Sequence, residues 1–189
     1  MQRKNIIAML TGSLLLSAYA HAAPAPVQLS LPGVNFPAND EVKGARFSFL
    51  YGRTKNVTGL DIPILSLSDI DNFTGVQFAP FLGVGYVRNQ FKGVGIGLVN
   101  WHDGHDLGAN IGLVNVTRNV QGLNLGAVNI SRDQSLVDLG FVNYAPKTTF
   151  QLGLVNATQN LQGIQIGLVN YAANGVLPVM PIVNFNKSF

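Results

Sequence analysis

Cysteine is missing from all 189 residues. That absence excludes a disulfide framework, a thiolate metal centre, a cysteine nucleophile and a lipid-modified cysteine, so stability has to come from packing and hydrogen bonds. Charge is sparse as well, at 11% of residues against about 25% in an average globular chain. Asn, Gln, Ser, Thr and backbone are therefore expected to supply the polar surface. No Gly-x-Ser-x-Gly nucleophile elbow or phosphate-binding loop occurs. Gly93-Val-Gly-Ile-Gly97 mimics a dinucleotide fingerprint only because it belongs to a repeat. Acidic residues such as Asp69, Asp71, Asp133 and Asp138 are scattered along the array, and nothing in the sequence selects a carboxylate pair for general acid–base chemistry. The expectation is a protein that is not an enzyme and carries no cofactor.

What is present begins with Gln2-Arg3-Lys4, the apolar run Ile6 to Ala20 and small residues up to Ala22. This is the pattern of a secretory signal peptide, residues 1–22. The apolar run is interrupted by Thr11-Gly12-Ser13 and falls short of the ~20 residues a spanning helix needs. Loss of the leader removes Arg3 and Lys4, which lowers the net charge from +3 to +1. The pI near 9.3 is then no nucleic-acid footprint. Export implies the periplasm, the outer membrane or the extracellular space. Residues 23–41 are Pro-rich and read as an extended lead-in or cap, with a β-repeat domain over 42–189.

The repeat is the strongest signal. Asn100, Asn115, Asn129, Asn143, Asn156, Asn170 and Asn184 are spaced by 13 to 15 residues, and each follows a Val. Gly stands three before the first six, and an aliphatic residue or Met four before all seven. Weaker copies opening at Val42, Val57 and Phe73 bring the array to about ten units. Within a unit the alternation has period two, the signature of a strand. Ile164, Ile166 and Leu168 share one face; Gly163, Gln165, Gly167 and Val169 share the other.

Two architectures use such strands. In a β-solenoid, each ~14-residue unit is one coil and equivalent residues stack about 4.8 Å apart. Leu and Ile would point inward, and the Asn residues would form a structural ladder at one corner. In an up-and-down β-barrel of about ten strands, successive Asn residues would fall at opposite ends and have no reason to be identical. The one-strand period and the uniform connections favour the all-β solenoid.

The units typified by Gly163-Ile-Gln-Ile-Gly-Leu-Val-Asn170 resemble the bacterial surface-repeat proteins with iterated Gly-Leu-x-x-Gly-Leu-x-Asn-like units, the leptospiral surface-repeat lipoprotein group. The resemblance spans roughly Val42 to Asn184 and implies an exported, envelope-associated protein. The group's lipid-modified cysteine has no counterpart here.

Candidate sites are few. Asn110, Asn124, Asp138, Gln151 and Gln165 place one polar residue in each unit and are expected as an outward binding row. The partner would be a protein or a glycan, and outer-membrane association is a further expectation. In Trp101-His102-Asp103-Gly104-His105-Asp106, His102 and His105 are the only candidate metal ligands, although a solvated turn explains the segment more simply. Six Asn-x-Ser/Thr triplets, among them Asn115, Asn129 and Asn156, read as by-products of Asn-ended units. The expected function is a non-catalytic envelope protein presenting an Asn/Gln/Gly-rich face. The alternative is an integral outer-membrane barrel, a small pore or structural protein.

Overall fold

A computed structural model describes residues 23–187; the expected leader and the last two residues lie outside the described residues. Every described element is a strand: β1 (Ala25–Leu31), β2 (Val34–Phe36), β3 (Glu41–His102), β4 (His105–Leu125), β5 (Val128–Leu139), β6 (Val142–Leu152), β7 (Val155–Ala172) and β8 (Val179–Phe185). They form one sheet in the order β2-β1-β3-β4-β5-β6-β7-β8. Pairing is parallel from β1–β3 through β6–β7. This is a β-solenoid of about ten coils with ~14-residue spacing, not an antiparallel barrel. Asn100 pairs with Asn115, Asn129 with Asn143 and Asn143 with Asn156, so equivalent residues stack from coil to coil. β3 runs through several coils, corners included.

One corner depends on glycine. Gly44, Gly59, Gly75, Gly93 and Gly108 adopt φ between +130° and +148°, a region that only glycine occupies without strain. At Gly59, Gly75, Gly93, Gly108 and Gly122, a Cβ would overlap the carbonyl oxygen of the glycine one coil earlier. In the copies from Gly44 to Gly122 the glycine of the opening is therefore a backbone requirement.

Both ends leave the parallel register. β2 folds back antiparallel on β1, and β8 antiparallel on β7. The segment expected as lead-in thus joins the sheet, with Val27 opposite Ala45 and Leu29 opposite Phe47. At the other end Asn184 lies opposite Gln165, so the seventh Val-Asn belongs to a reversed strand. Its amide donates to the Asn170 and Leu177 carbonyls. The side-chain ladder expected to include Asn184 ends at Asn170.

The interior contradicts a second expectation. Leu113, Leu154 and Leu168 are exposed, while Asn100, Asn115, Asn129, Asn143, Asn156 and Asn170 are buried. Period-two alternation defines two faces without saying which is inside. The corner after each repeat glycine also shifts the phase: Leu168 and Val169 both face out before Asn170 turns in. Among the described residues the apolar cluster lies in the first coils, where Val42, Val57, Ile70, Phe73, Val87 and Phe91 pack together; further along, Val120, Ala145, Leu161 and Ala172 are buried apolar residues.

Candidate functional site

Burial of so many amides is tolerated because they satisfy one another. The Nδ2 of Asn100 donates to Asn115 Oδ1, Asn115 to Asn129, Asn129 to Asn143, Asn143 to Asn156 and Asn156 to Asn170, each at 2.8 Å. The second proton of Asn115, Asn129, Asn143 and Asn156 goes to a backbone carbonyl of the next coil. The repeat glycine belongs to the same device. A Cβ on Gly140 would stand 2.7 Å from Asn129 Nδ2 and 3.0 Å from Asn143 Oδ1, and would overlap the Gly126 carbonyl. Gly and Asn three apart therefore form one unit. The triplets at Asn115, Asn129 and Asn156 are sealed inside it, out of reach of modification.

The row expected as a binding surface lies inside as well. Asn110, Asn124, Asp138, Gln151 and Gln165 are all 0% exposed. They continue an axial row that starts with Gln28, Arg46, Asp61 and Gln77, also 0% exposed. Arg46 Nη1 and Gln77 Nε2 donate to the two oxygens of Asp61 at 3.0 and 2.9 Å. Asn124 Nδ2 and Gln151 Nε2 donate to the two oxygens of Asp138 at 2.9 and 3.2 Å. An amide chain has a direction, and where two chains run head to head only a carboxylate accepts from both sides. That accounts for the Asp at both positions. Burial pushes the Asp138 carboxyl above its ordinary range, although Ser135, Asn124 and Gln151 donate to it.

His102 and His105 lie on opposite sides of the wall. His102 is buried, stacks on Phe91 at 4.3 Å and places Nδ1 2.6 Å from Asp106 Oδ2; His105 is exposed. The pair cannot share an ion, because one ring is buried inside the coil and the other faces out, on either side of the bend at 103–104. Among the described residues, no three His, Cys, Asp or Glu side chains converge as metal ligands. The buried His102–Asp106 pair is closed to substrate.

What faces outward is aliphatic. The stretches 94–101, 109–116, 123–130, 150–157 and 164–171 contain no charged residue, and Asp138, the one charge in 137–144, is buried. The corner row holds Leu98, Leu113, Phe141, Leu154 and Leu168, all exposed. Upstream coils extend it with Leu50, Leu65 and Phe81, exposed at φ of 63°, 46° and 61°. The left-handed region costs a bulky residue roughly 1–3 kcal/mol, so the fold holds these side chains outward against strain. Between Ile96, Leu125 and Leu152 on one side and Leu98, Phe141 and Leu154 on the other runs an open apolar groove of ≈ 890 Å³. Next to the wall, the outward row Trp101-Val116-Ile130-Tyr144 follows in register.

A cluster of charged side chains lines the turn that follows the Trp101 row. Asp69 binds Arg53 at 2.9 Å, Arg88 at 2.6 and 2.7 Å and Tyr51 at 3.1 Å. Burial raises the Asp69 carboxyl, but these hydrogen bonds and the two guanidinium charges outweigh it and hold the group below its ordinary range. Asp103 accepts from Arg132 at 2.6 Å, Tyr86 at 2.9 Å and Trp101 at 3.2 Å. Arg118, Arg132 and Asp133 line the same edge, exposed.

Fold and site together define a parallel β-solenoid with a polar interior and an aliphatic exterior. No known protein family, curated protein or solved structure matches the chain. Its repeat, ladder and wall are the grounds for a functional reading.

Proposed function

We propose that this is an exported, non-catalytic envelope protein that seats its aliphatic wall on the apolar layer of a lipid surface, with the charged edge in water. The observation that carries this reading is a segregation of side chains: coil after coil has five outward positions without charge, and in the coils up to Asp133 a turn follows that holds cations and carboxylates. Soluble monomers rarely expose a continuous apolar patch beyond a few hundred Å², and here the patch extends coil after coil. The flanking Trp101, Tyr144 and Tyr171 suit the boundary between headgroups and acyl chains.

The energetics support the reading. Complete burial of a Leu-sized side chain contributes about 1.5–3 kcal/mol. Five half-exposed corner residues would together contribute roughly 5 kcal/mol, before the neighbouring rows are counted. The leader pattern and the likeness of the repeat to surface-repeat proteins favour an envelope location. A protein or glycan partner held by the axial row is not proposed, since those side chains are buried.

Flotation of the folded mature chain with phosphatidylcholine vesicles tests the proposal. The protein is expected to float and to stay bound in high salt, because the contact is apolar. Leu113→Asp with Leu154→Asp is expected to abolish flotation while leaving the circular dichroism unchanged. A discrete dimer indifferent to vesicles would replace lipid by a second copy as the cover of the wall and overturn the reading.

A further inference from the structure

The axial row contains one residue without a side chain. Gly95 stands between Gln77 and Asn110, opposite Asn110 in the parallel register. Its place coincides with a change in the direction of the amide chain. Gln77 donates backward to Asp61, whereas Asn110 donates forward to Asn124 at 3.0 Å and to Asp106 at 2.9 Å. The chains converge on Asp61 and on Asp138, and between those points they diverge. A divergence leaves oxygens with no donor, the reverse of the situation at each Asp.

The buried polar atoms bear this out. Gln77 Oε1, Asn100 Oδ1 and Asn110 Oδ1 are buried acceptors without a hydrogen-bond partner. The neighbouring Asp106 Oδ1 and His102 Nε2 are likewise unpartnered. Asn100 is the first rung of the Asn ladder, and one coil earlier at the same spacing stands Gly85, which offers no amide. Gln77 Oε1 lies against Gly85, where a Cβ would overlap it. A point one Cβ bond from Gly95 is 3.1 Å from Asn100 Oδ1 and 3.5 Å from Asn110 Oδ1, with Phe91 at 3.4 Å. The amide orientations are fixed, since both Nδ2 groups are already committed as donors.

We propose that the interior beside Gly95 is a binding site for one water-sized electropositive guest, a water or an alkali cation, held between the amide oxygens of Asn100 and Asn110. A water would donate one proton to each; a cation would take both as ligands, the oxygen chemistry that hard cations prefer. The guest joins the irregular first coils, spaced by 15 to 18 residues at their glycines, to the regular 14-residue array. The site is independent of the lipid-seating proposal, because it is sealed inside the coils.

A high-resolution crystal structure of the folded protein, grown once with sodium and once with rubidium, tests this directly. The expected result is one ordered peak at hydrogen-bonding or ligand distance from both oxygens. An anomalous rubidium signal there assigns a cation, and a peak without it assigns a water. Electron density without such a peak would overturn the site.

Discussion

Removal of one rung from the middle of the Asn ladder is the most informative single perturbation of the fold. In Asn129→Ala the side chain takes with it three hydrogen bonds: from Asn115 at 2.8 Å, to Asn143 at 2.8 Å and to the Leu139 carbonyl at 2.9 Å. Two of the partners keep another contact. Asn115 still donates to the Leu125 carbonyl, and the Leu139 carbonyl still accepts from the Gly126 amide. Asn143 Oδ1 is left buried with no donor. Three bonds at about 1 kcal/mol each, plus about 1–2 kcal/mol for the stranded oxygen, give a loss of roughly 4–5 kcal/mol. Urea denaturation followed by circular dichroism and by Trp101 fluorescence measures it, with Asn72→Ala, an exposed amide bonded only to Asn56, as the control expected within about 0.5 kcal/mol. Equal midpoints for the two variants would refute the claim that the ladder holds the coils together.

Other consequences are as direct. Gly140→Ala is expected to destabilise by at least as much as Asn129→Ala, because the new methyl overlaps the Gly126 carbonyl; a neutral result in the same denaturation series would contradict the Gly–Asn unit. His102→Ala should cost about 2–4 kcal/mol through the lost Phe91 stack and the lost bond to Asp106, which keeps only Asn110, whereas His105→Ala should change stability by less than about 0.5 kcal/mol. Equal effects would mean that the two rings are not on opposite sides of the wall. The two perturbed carboxylates have opposite signs. Asp69 is depressed on folding, so its contribution is present above the unfolded value of about 3.9 and is lost as pH falls through the folded value. Asp69→Asn should therefore flatten the acid limb of a stability–pH curve. Asp138 is raised, so its contribution is complete below about 3.9 and is lost as pH rises through the folded value. Asp138→Asn should remove a decline above that point.

The coil period was legible in the sequence because parallel stacking makes every unit equivalent, and seven Val-Asn pairs at nearly constant spacing express that equivalence. The Asn ladder followed for the same reason as far as Asn170. Asn184 misled because a reversed strand keeps the residue pattern while changing the register. The polarity of the coil was not legible. Alternation in Ile164 to Leu168 separates the faces, and hydrophobic burial is the ordinary guide to which is inside. That guide fails here because Asn side chains in register pair their own donors and acceptors, so the polar face can be buried. A signal was available: six of the seven Val-Asn pairs follow a glycine by three, and small residues beside an amide leave room for it only in a tight interior. His102 and His105 were grouped by proximity in sequence, whereas the bend between β3 and β4 leaves one ring inside the coil and the other outside.

The central claim is that the aliphatic wall contacts lipid while the charged edge does not. The absence of native cysteine allows a single polarity-sensitive probe at Leu113→Cys and, separately, at Arg118→Cys. Vesicles containing lipids brominated along the acyl chain report contact by quenching. The account predicts strong quenching at position 113 and little at 118, with aqueous iodide giving the reverse order. Equal iodide quenching at both positions, with no effect of brominated lipid at 113, would contradict it.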